Sequence, residues 1–131
     1  MEARADIQAG ICGFRTRVAA SAQRARLVSF TVDTDCETVA ALAAALTEHG
    51  AFDAFDEIDS RTDSGLMGVV RAHLRGCCAG CAVPVGLFKA MQVAAGLALP
   101  KDIEIGLSSD RAIRGDETRP GKEDTRGKAT E

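Results

Sequence analysis

The chemistry this sequence offers rests on five cysteines. Three crowd into "RGCCAGCAVPVGLFKA", residues 75–90, where Cys78 and Cys81 are spaced C-x-x-C and Cys77 stands one residue further out. Cys12 lies between Gly10 and Gly13 in "GICGF", and Cys36 lies in "TDCET". A thiolate is the form of cysteine that binds a soft metal or attacks an electrophile. Helix N-termini favour it, because they present unpaired N–H groups and the positive end of the helix dipole. Pro84 can open a helix but not sit inside one, so Cys81 immediately precedes a helix. Thr34 and Glu37 have the capping-box spacing, with Asp35 as a rival cap, which puts Cys36 in the first turn of another. A glycine-flanked Cys12 brings its backbone N–H close to a ligand, and such hydrogen bonds tune iron–sulfur centres. Far apart in sequence and all at element ends, Cys12, Cys36 and Cys81 are the candidate ligands, with Cys78 and Cys77 beside them.

Thiolate ligation suits zinc or an iron–sulfur cluster and not magnesium or calcium. The second C-x-x-C or H-x-H pair of an ordinary zinc knuckle is missing. His49 and His73 read as helix-surface residues, with His73, eight residues before Cys81, the better ligand of the two. Lys89 is expected to face solvent. "FDAFDEIDS" has no EF-hand spacing and reads as a solvated face. There is no Ser-His-Asp set, P-loop or dinucleotide fingerprint, so a binding protein is expected rather than an enzyme. Free cysteine also fills small core spaces, an account that suits one or two of the five but not five beside glycines, caps and turns.

The elements that must position these thiols follow from periodicity. Ala5, Ile7, Ala9 and Ile11 alternate as a half-buried strand, a second strand runs from about Phe14 to Ala20, and Val28, Phe30 and Val32 mark a third. Short links make them antiparallel neighbours. Val39, Leu42, Ala43 and Leu46 then fall on one helical face, and Gly50 ends that helix. Phe52, Phe55 and Ile58 suit a short acidic helix or a single turn on the core. Further helices pass through Leu66, Met67, Val70 and Leu74, and from Pro84 to about Leu97, where Pro100 stops the chain's helical course. Ile103, Ile105 and Leu107 read as a final strand. The expected fold is α+β in the order βββα(α)ααβ: an antiparallel three- to four-stranded sheet with about three helices on one face. The other face is open to a partner, because so small a domain gains from oligomerising. Residues 1–109 form this single domain. Residues 110–131, with six basic and six acidic side chains and almost no apolar ones, read as a disordered charged tail.

The 131 residues suffice for one core, and 46% are apolar, but five Phe and no Trp or Tyr make that core aliphatic. A net charge of −3, with no basic cluster outside the tail, argues against nucleic acid. Residues 81–99 are apolar but broken by Lys89, Gln92, Pro84 and glycines, so a buried helix is expected there and no membrane span. No export pattern is visible at "MEARADIQAG", which points to the cytoplasm. In that reducing setting an odd number of cysteines favours ligands or reactive thiols over disulfides.

The order of features resembles the U-type iron–sulfur cluster scaffold proteins: strand, Cys-Gly turn, two strands, a cysteine opening a helix, and a third cysteine opening a late helix. The resemblance spans roughly residues 5–97 and implies that Cys12, Cys36 and Cys81 hold a nascent [2Fe–2S] cluster or zinc for delivery to a protein partner. Phe14 stands where that family has an aspartate, and Gly80 where it has a histidine, so a fourth ligand would come from Cys77 or Cys78. Locally, "CAVPVGLFKAM" is similar to the Cys-Pro-X-Pro helix start of small sulfur carriers, with Cys81, Pro84, Val85 and Lys89 in register and Ala82 replacing the first proline. That likeness implies a persulfide on Cys81 passed to a protein acceptor; the C-x-x-C spacing alternatively suits a redox thiol at Cys81 resolved by Cys78. The ordered part also resembles short uncharacterised proteins of anaerobic prokaryotes.

Overall fold

A computed structural model describes residues 1–59 and 65–110. The chain divides into two units, Met1–Pro100 and Lys101–Glu131. All the regular elements among the described residues belong to the first. Strands β1 (Glu2–Gln8), β2 (Arg15–Gln23), β3 (Leu27–Thr34) and β4 (Phe52–Asp53) form one antiparallel sheet in the order β1-β2-β3-β4. Helix α1 (Glu37–His49) follows β3, α2 (Ala54–Ile58) follows β4, and α3 (Gly65–His73) and α4 (Val83–Ala94) complete the unit. The architecture is α+β, with helices on one face of a four-stranded sheet.

The register explains which face they cover. Ile7 pairs with Thr16 and Thr16 with Thr34; Ala5 pairs with Val18 and Val18 with Val32; Ala3 pairs with Ala20 and Ala20 with Phe30. These rows point to one side and bury Ala3, Ile7, Thr16, Val18, Ala20 and Phe30, while Arg4, Asp6, Arg17, Ser29 and Asp33 between them stay exposed. Helix α4 covers β1 and β2, α1 covers β3, and α3 packs on α1. On α4, Val83, Leu87, Ala90, Met91 and Ala94 recur at helical spacing and are all buried. Fully burying Leu87 and Met91 contributes roughly 1.5–3 kcal/mol each. The stretch Gly76–Ala94 is long and apolar enough by composition to cross a membrane. In the structure it is broken by a 3-10 turn, and only the 12-residue α4 is a continuous α-helix.

Four expectations are corrected. The first strand starts at Glu2 and stops at Gln8, because Gly10 and Gly13 adopt φ of 86° and 78° and close a 3-10 turn; Ile11 is left fully exposed. Cys36 is the N-cap of α1 and not in its first turn, with φ −94° and ψ 125°, and neither Thr34 nor Asp35 caps. Helix α4 ends at Ala94, well before Pro100, where Gly96 at φ 80° accompanies a turn. Finally, no strand forms at Ile103–Leu107: residues 101–109 have no regular structure, and Ile103 and Ile105 are 48% and 68% exposed. The place beside β3 belongs instead to β4, whose Phe52 pairs with Val28, is 1% exposed and lies 5.9 Å from the Phe30 ring. The charged stretch expected to be disordered lies, from residue 111 on, outside the described residues.

Candidate functional site

One end of the sheet collects the thiols. There β1 finishes, β2 begins and β3 finishes, since Gln8 pairs with Arg15 and Thr16 with Thr34. Cys12 ends the 3-10 turn Gly10–Cys12 that joins β1 to β2, and Cys36 follows β3 by two residues. The start of α4 reaches the same end: Gly86 lies so close to Ile7, near the end of β1, that an added Cβ would collide with the Ile7 Cδ1 methyl. Just before α4, Cys77 and Cys78 lie in a second 3-10 turn, Gly76–Gly80, and Cys81 closes it by donating its N–H to the Cys78 carbonyl at 3.1 Å.

All five are free thiols. Cys36, Cys78 and Cys81 are half-buried against the core, while Cys12 and Cys77 are exposed. Burial pushes the Cys78 thiol up, and the nearby thiols of Cys77, Cys36 and Cys81 add to the rise. Residues separated by some forty positions pack against the same core, Cys36 from the β3–α1 junction and Cys78 and Cys81 from the segment before α4. Cys12 stands at the same end, exposed on its own turn beside a hollow of about 440 Å³ lined by Gln8, Ala9, Gly10, Gly13, Phe14 and Arg15. Among the described residues, no three of His, Cys, Asp and Glu already stand at ligand spacing.

Two local devices seat the sulfurs. The Thr34 hydroxyl accepts the Cys36 N–H at 3.1 Å and is itself 2.7 Å from the hydroxyl of Thr16, which is 2% exposed. The Cys36 carbonyl then takes the first helical bond, from Ala40 N–H at 2.8 Å. Sequence reasoning took Thr34 for a helix cap; its spacing of two from Cys36 also fits a hydroxyl–backbone turn, the signal that would have found this seat. At the other junction, Cys81 is extended (φ −63°, ψ 144°) and its Sγ accepts the Val83 N–H at 3.4 Å. That is the work of a capping side chain, one residue ahead of the Ala82 cap.

The remaining candidates have structural roles. His73 Nδ1 lies 3.0 Å from the Val69 carbonyl of its own helix, and His49 stacks on Phe52 with centroids 3.9 Å apart. Lys89 is exposed. In the acidic stretch, Asp53 accepts the Phe55 and Asp56 N–H groups, capping α2, and pairs with Arg26. The Glu57 carboxylate reaches across to accept the Leu66 N–H at 3.1 Å at the start of α3.

Residues 3–107 match the model of a family of unknown function, DUF6951, and the chain belongs to that family. No curated protein and no solved structure matches it.

Proposed function

From the site itself, we propose that this member of the family binds zinc or an iron–sulfur cluster through thiolates and passes it to a protein partner. Cys36, Cys78 and Cys81 supply three ligands, and Cys12, from the turn at the same end of the sheet, supplies the fourth. The observation that supports this reading is that Cys36, Cys78 and Cys81, distant in sequence, are all half-buried against the same core. Four thiolates match the preferences of zinc and of iron–sulfur clusters. Among the described residues no three candidate ligands stand at ligand spacing, so loading requires the thiols to draw together.

The test is anaerobic. Zinc affinity by competition with a chromophoric chelator, and iron with sulfide followed by visible absorption, are measured for the wild type and for single Cys→Ser variants. Cys36→Ser should lower zinc affinity as much as Cys81→Ser does, by at least about ten-fold. Binding that is indifferent to Cys36 would reduce the site to a local C-x-x-C peptide and defeat the reading.

A second reading has its own observation. The Cys81 sulfur already accepts a backbone N–H at the start of α4, where donors favour an anionic group. Cys81 would then carry a persulfide whose outer sulfur comes from a donor protein's persulfide, or act as a redox thiol that Cys78 resolves. Loss of sulfur acceptance in Cys81→Ser alone, with Cys12→Ser and Cys36→Ser unaffected, would establish that role over metal binding.

A further inference from the structure

Strand β1 lies at an open edge of the sheet. Among the described residues it forms one ladder, with β2, over all seven residues Glu2–Gln8 and without a bulge. The Met1 carbonyl accepts the Ala22 N–H at 3.0 Å, and Ala9 donates its N–H to the Phe14 carbonyl at 3.1 Å. Backbone groups in an antiparallel ladder turn to alternate sides, so Ala3, Ala5 and Ile7 face β2 as Met1 and Ala9 do. Glu2, Arg4, Asp6 and Gln8 therefore aim their N–H and C=O groups outward, where another strand can take them. Proline, a bulge or a charge on the core-facing side would block such pairing. β1 has none of these: Ala3, Ala5 and Ile7 face the core, and its charges all lie on the other face.

Those charges select the strand that fits. In a two-fold antiparallel pair, outward-facing residues exchange hydrogen bonds only with one another. With the axis at Arg4, that residue meets its own copy and Glu2 meets the partner's Asp6; with the axis at Asp6, two carboxylates meet. An axis at Ala3 matches Glu2 with the partner's Arg4 but overlaps only the first half of the strand. With the axis at Ala5 the whole strand pairs. Arg4 then faces the partner's Asp6 twice over, Glu2 faces the partner's Gln8, and Ile7 faces the partner's Ala3. We propose that β1 pairs antiparallel with β1 of a second copy of this chain, centred on Ala5, joining the two sheets into one. Asp6 already holds Arg15, at 2.8 Å and 2.5 Å, and a carboxylate has room for a second arginine. Arg4 contacts Glu2 of its own strand at 3.1 Å, an exposed pair of little energetic weight. Because the strands run in opposite directions, the Cys12 turns that follow Gln8 stand at opposite ends of the joined edge. Each copy keeps its own thiol end, and the pairing is independent of what the thiols bind.

Sedimentation equilibrium of the full chain measures the dimer constant. Arg4→Asp and Asp6→Arg each bring like charges face to face at both symmetric positions, so each should weaken the dimer by about ten-fold or more, with circular dichroism unchanged. Mixed in equal amounts, the two variants restore both opposite-charge pairs, and the mixed dimer should regain about the wild-type affinity. Amide exchange read residue by residue gives the register. Rising concentration should slow exchange at Glu2, Arg4, Asp6 and Gln8 and leave Ala3, Ala5 and Ile7, already bonded to β2, little changed. A wild type that stays monomeric at every concentration overturns the pairing and leaves the edge to a strand of another protein. A dimer indifferent to both reversals, or one whose slowed amides lie outside β1, overturns it as well. Slowing confined to Glu2 and Arg4 would move the axis to Ala3 and overturn the register.

Discussion

Substituting Gly86 by alanine tests how tightly α4, and with it Cys81, is seated on the sheet. Gly86 is buried in the first turn of α4, over β1. A Cβ there would collide with the Ile7 Cδ1 methyl and stand 2.8 Å from Ile7 Cγ1, with Ala5 Cβ at 3.7 Å. Ile7 is 9% exposed and β-branched, so its side chain has little room to turn away. Overpacking of this kind costs about 1–3 kcal/mol. Alanine in place of a helical glycine returns about 1 kcal/mol. The expected net loss is about 1 kcal/mol, which in a domain this size lowers Tm by about 4–8 °C. Ile7→Val removes the colliding methyl at its own cost of about 0.5–1.5 kcal/mol. In that background only the contact with the remaining γ carbon at 2.8 Å persists, so Gly86→Ala should cost less than it does in the wild type, a favourable coupling of about 0.5–1 kcal/mol. Urea and thermal unfolding of the four proteins measure it. Equal losses in both backgrounds, or stabilisation by Gly86→Ala alone, would show that helix and strand are not in close contact there and that α4 does not fix the position of Cys81.

Two further predictions concern the groups that hold the site's supports. Thr34→Val removes the acceptor of the Cys36 N–H and leaves the buried Thr16 hydroxyl without its partner, so stability should fall by about 1–3 kcal/mol in urea unfolding, and zinc affinity with it. Removing both hydroxyls in Thr16→Val with Thr34→Val should cost less than the single change, and an equal or greater loss would refute the pairing. Glu57 supplies a pH effect: burial raises its carboxyl above the ordinary 4.5, against the lowering effects of the Leu66 N–H and His49, while Asp56 and Asp53 add to the rise. A raised folded value means that this contribution to stability is present below 4.5 and lost as pH rises through the folded value. Glu57→Gln escapes that loss, so its Tm relative to wild type should climb from about pH 4 to about pH 7. A constant difference would refute it, and taking the difference cancels the opposite, acid-side trend from Asp6 and Asp53, which their arginine partners hold low.

Periodicity was enough for the parts of the fold that repeat. Val28, Phe30 and Val32 alternate over a strand, and Val39, Leu42 and Leu46 recur over a helix, so β3 and α1 could be read with their ends nearly right. Phe52–Asp53 is too short to show any period, and its place in the sheet depends on pairing with Val28, a contact no local pattern announces. Ile103, Ile105 and Leu107 show the opposite failure. They alternate as a strand should, yet alternation describes two faces without supplying a neighbouring strand. The thiol end of the sheet was legible by type and position, because Cys12, Cys36 and Cys81 all stand where elements begin or turn. That Cys78 would be half-buried against the same core as Cys36 was not, since the relation between them spans three helices and a strand.

The two halves of the site are held unequally, and that shapes how cargo would be gripped. Cys36 is tied to the two central strands, at their end, through Thr34 and the buried Thr16, and its carbonyl starts a 13-residue helix. The turn that carries Cys77 and Cys78 contributes no buried residue and is closed by bonds from Cys78 N–H to the Arg75 carbonyl and from Cys81 N–H to the Cys78 carbonyl. Short, exposed turns of this kind open at low free-energy cost, whereas a strand end in a buried network does not. If thiolates must move to reach ligand spacing, Cys78 moves toward Cys36 and not the reverse. The sheet end then acts as a fixed jaw and the 3-10 turn as the moving one. Metal-bound protein should accordingly gain amide protection against hydrogen exchange at residues 76–81, with little change at Cys36 and Glu37. Protection gained at the start of α1 instead would place the moving jaw on the other side and contradict the role given to Thr34.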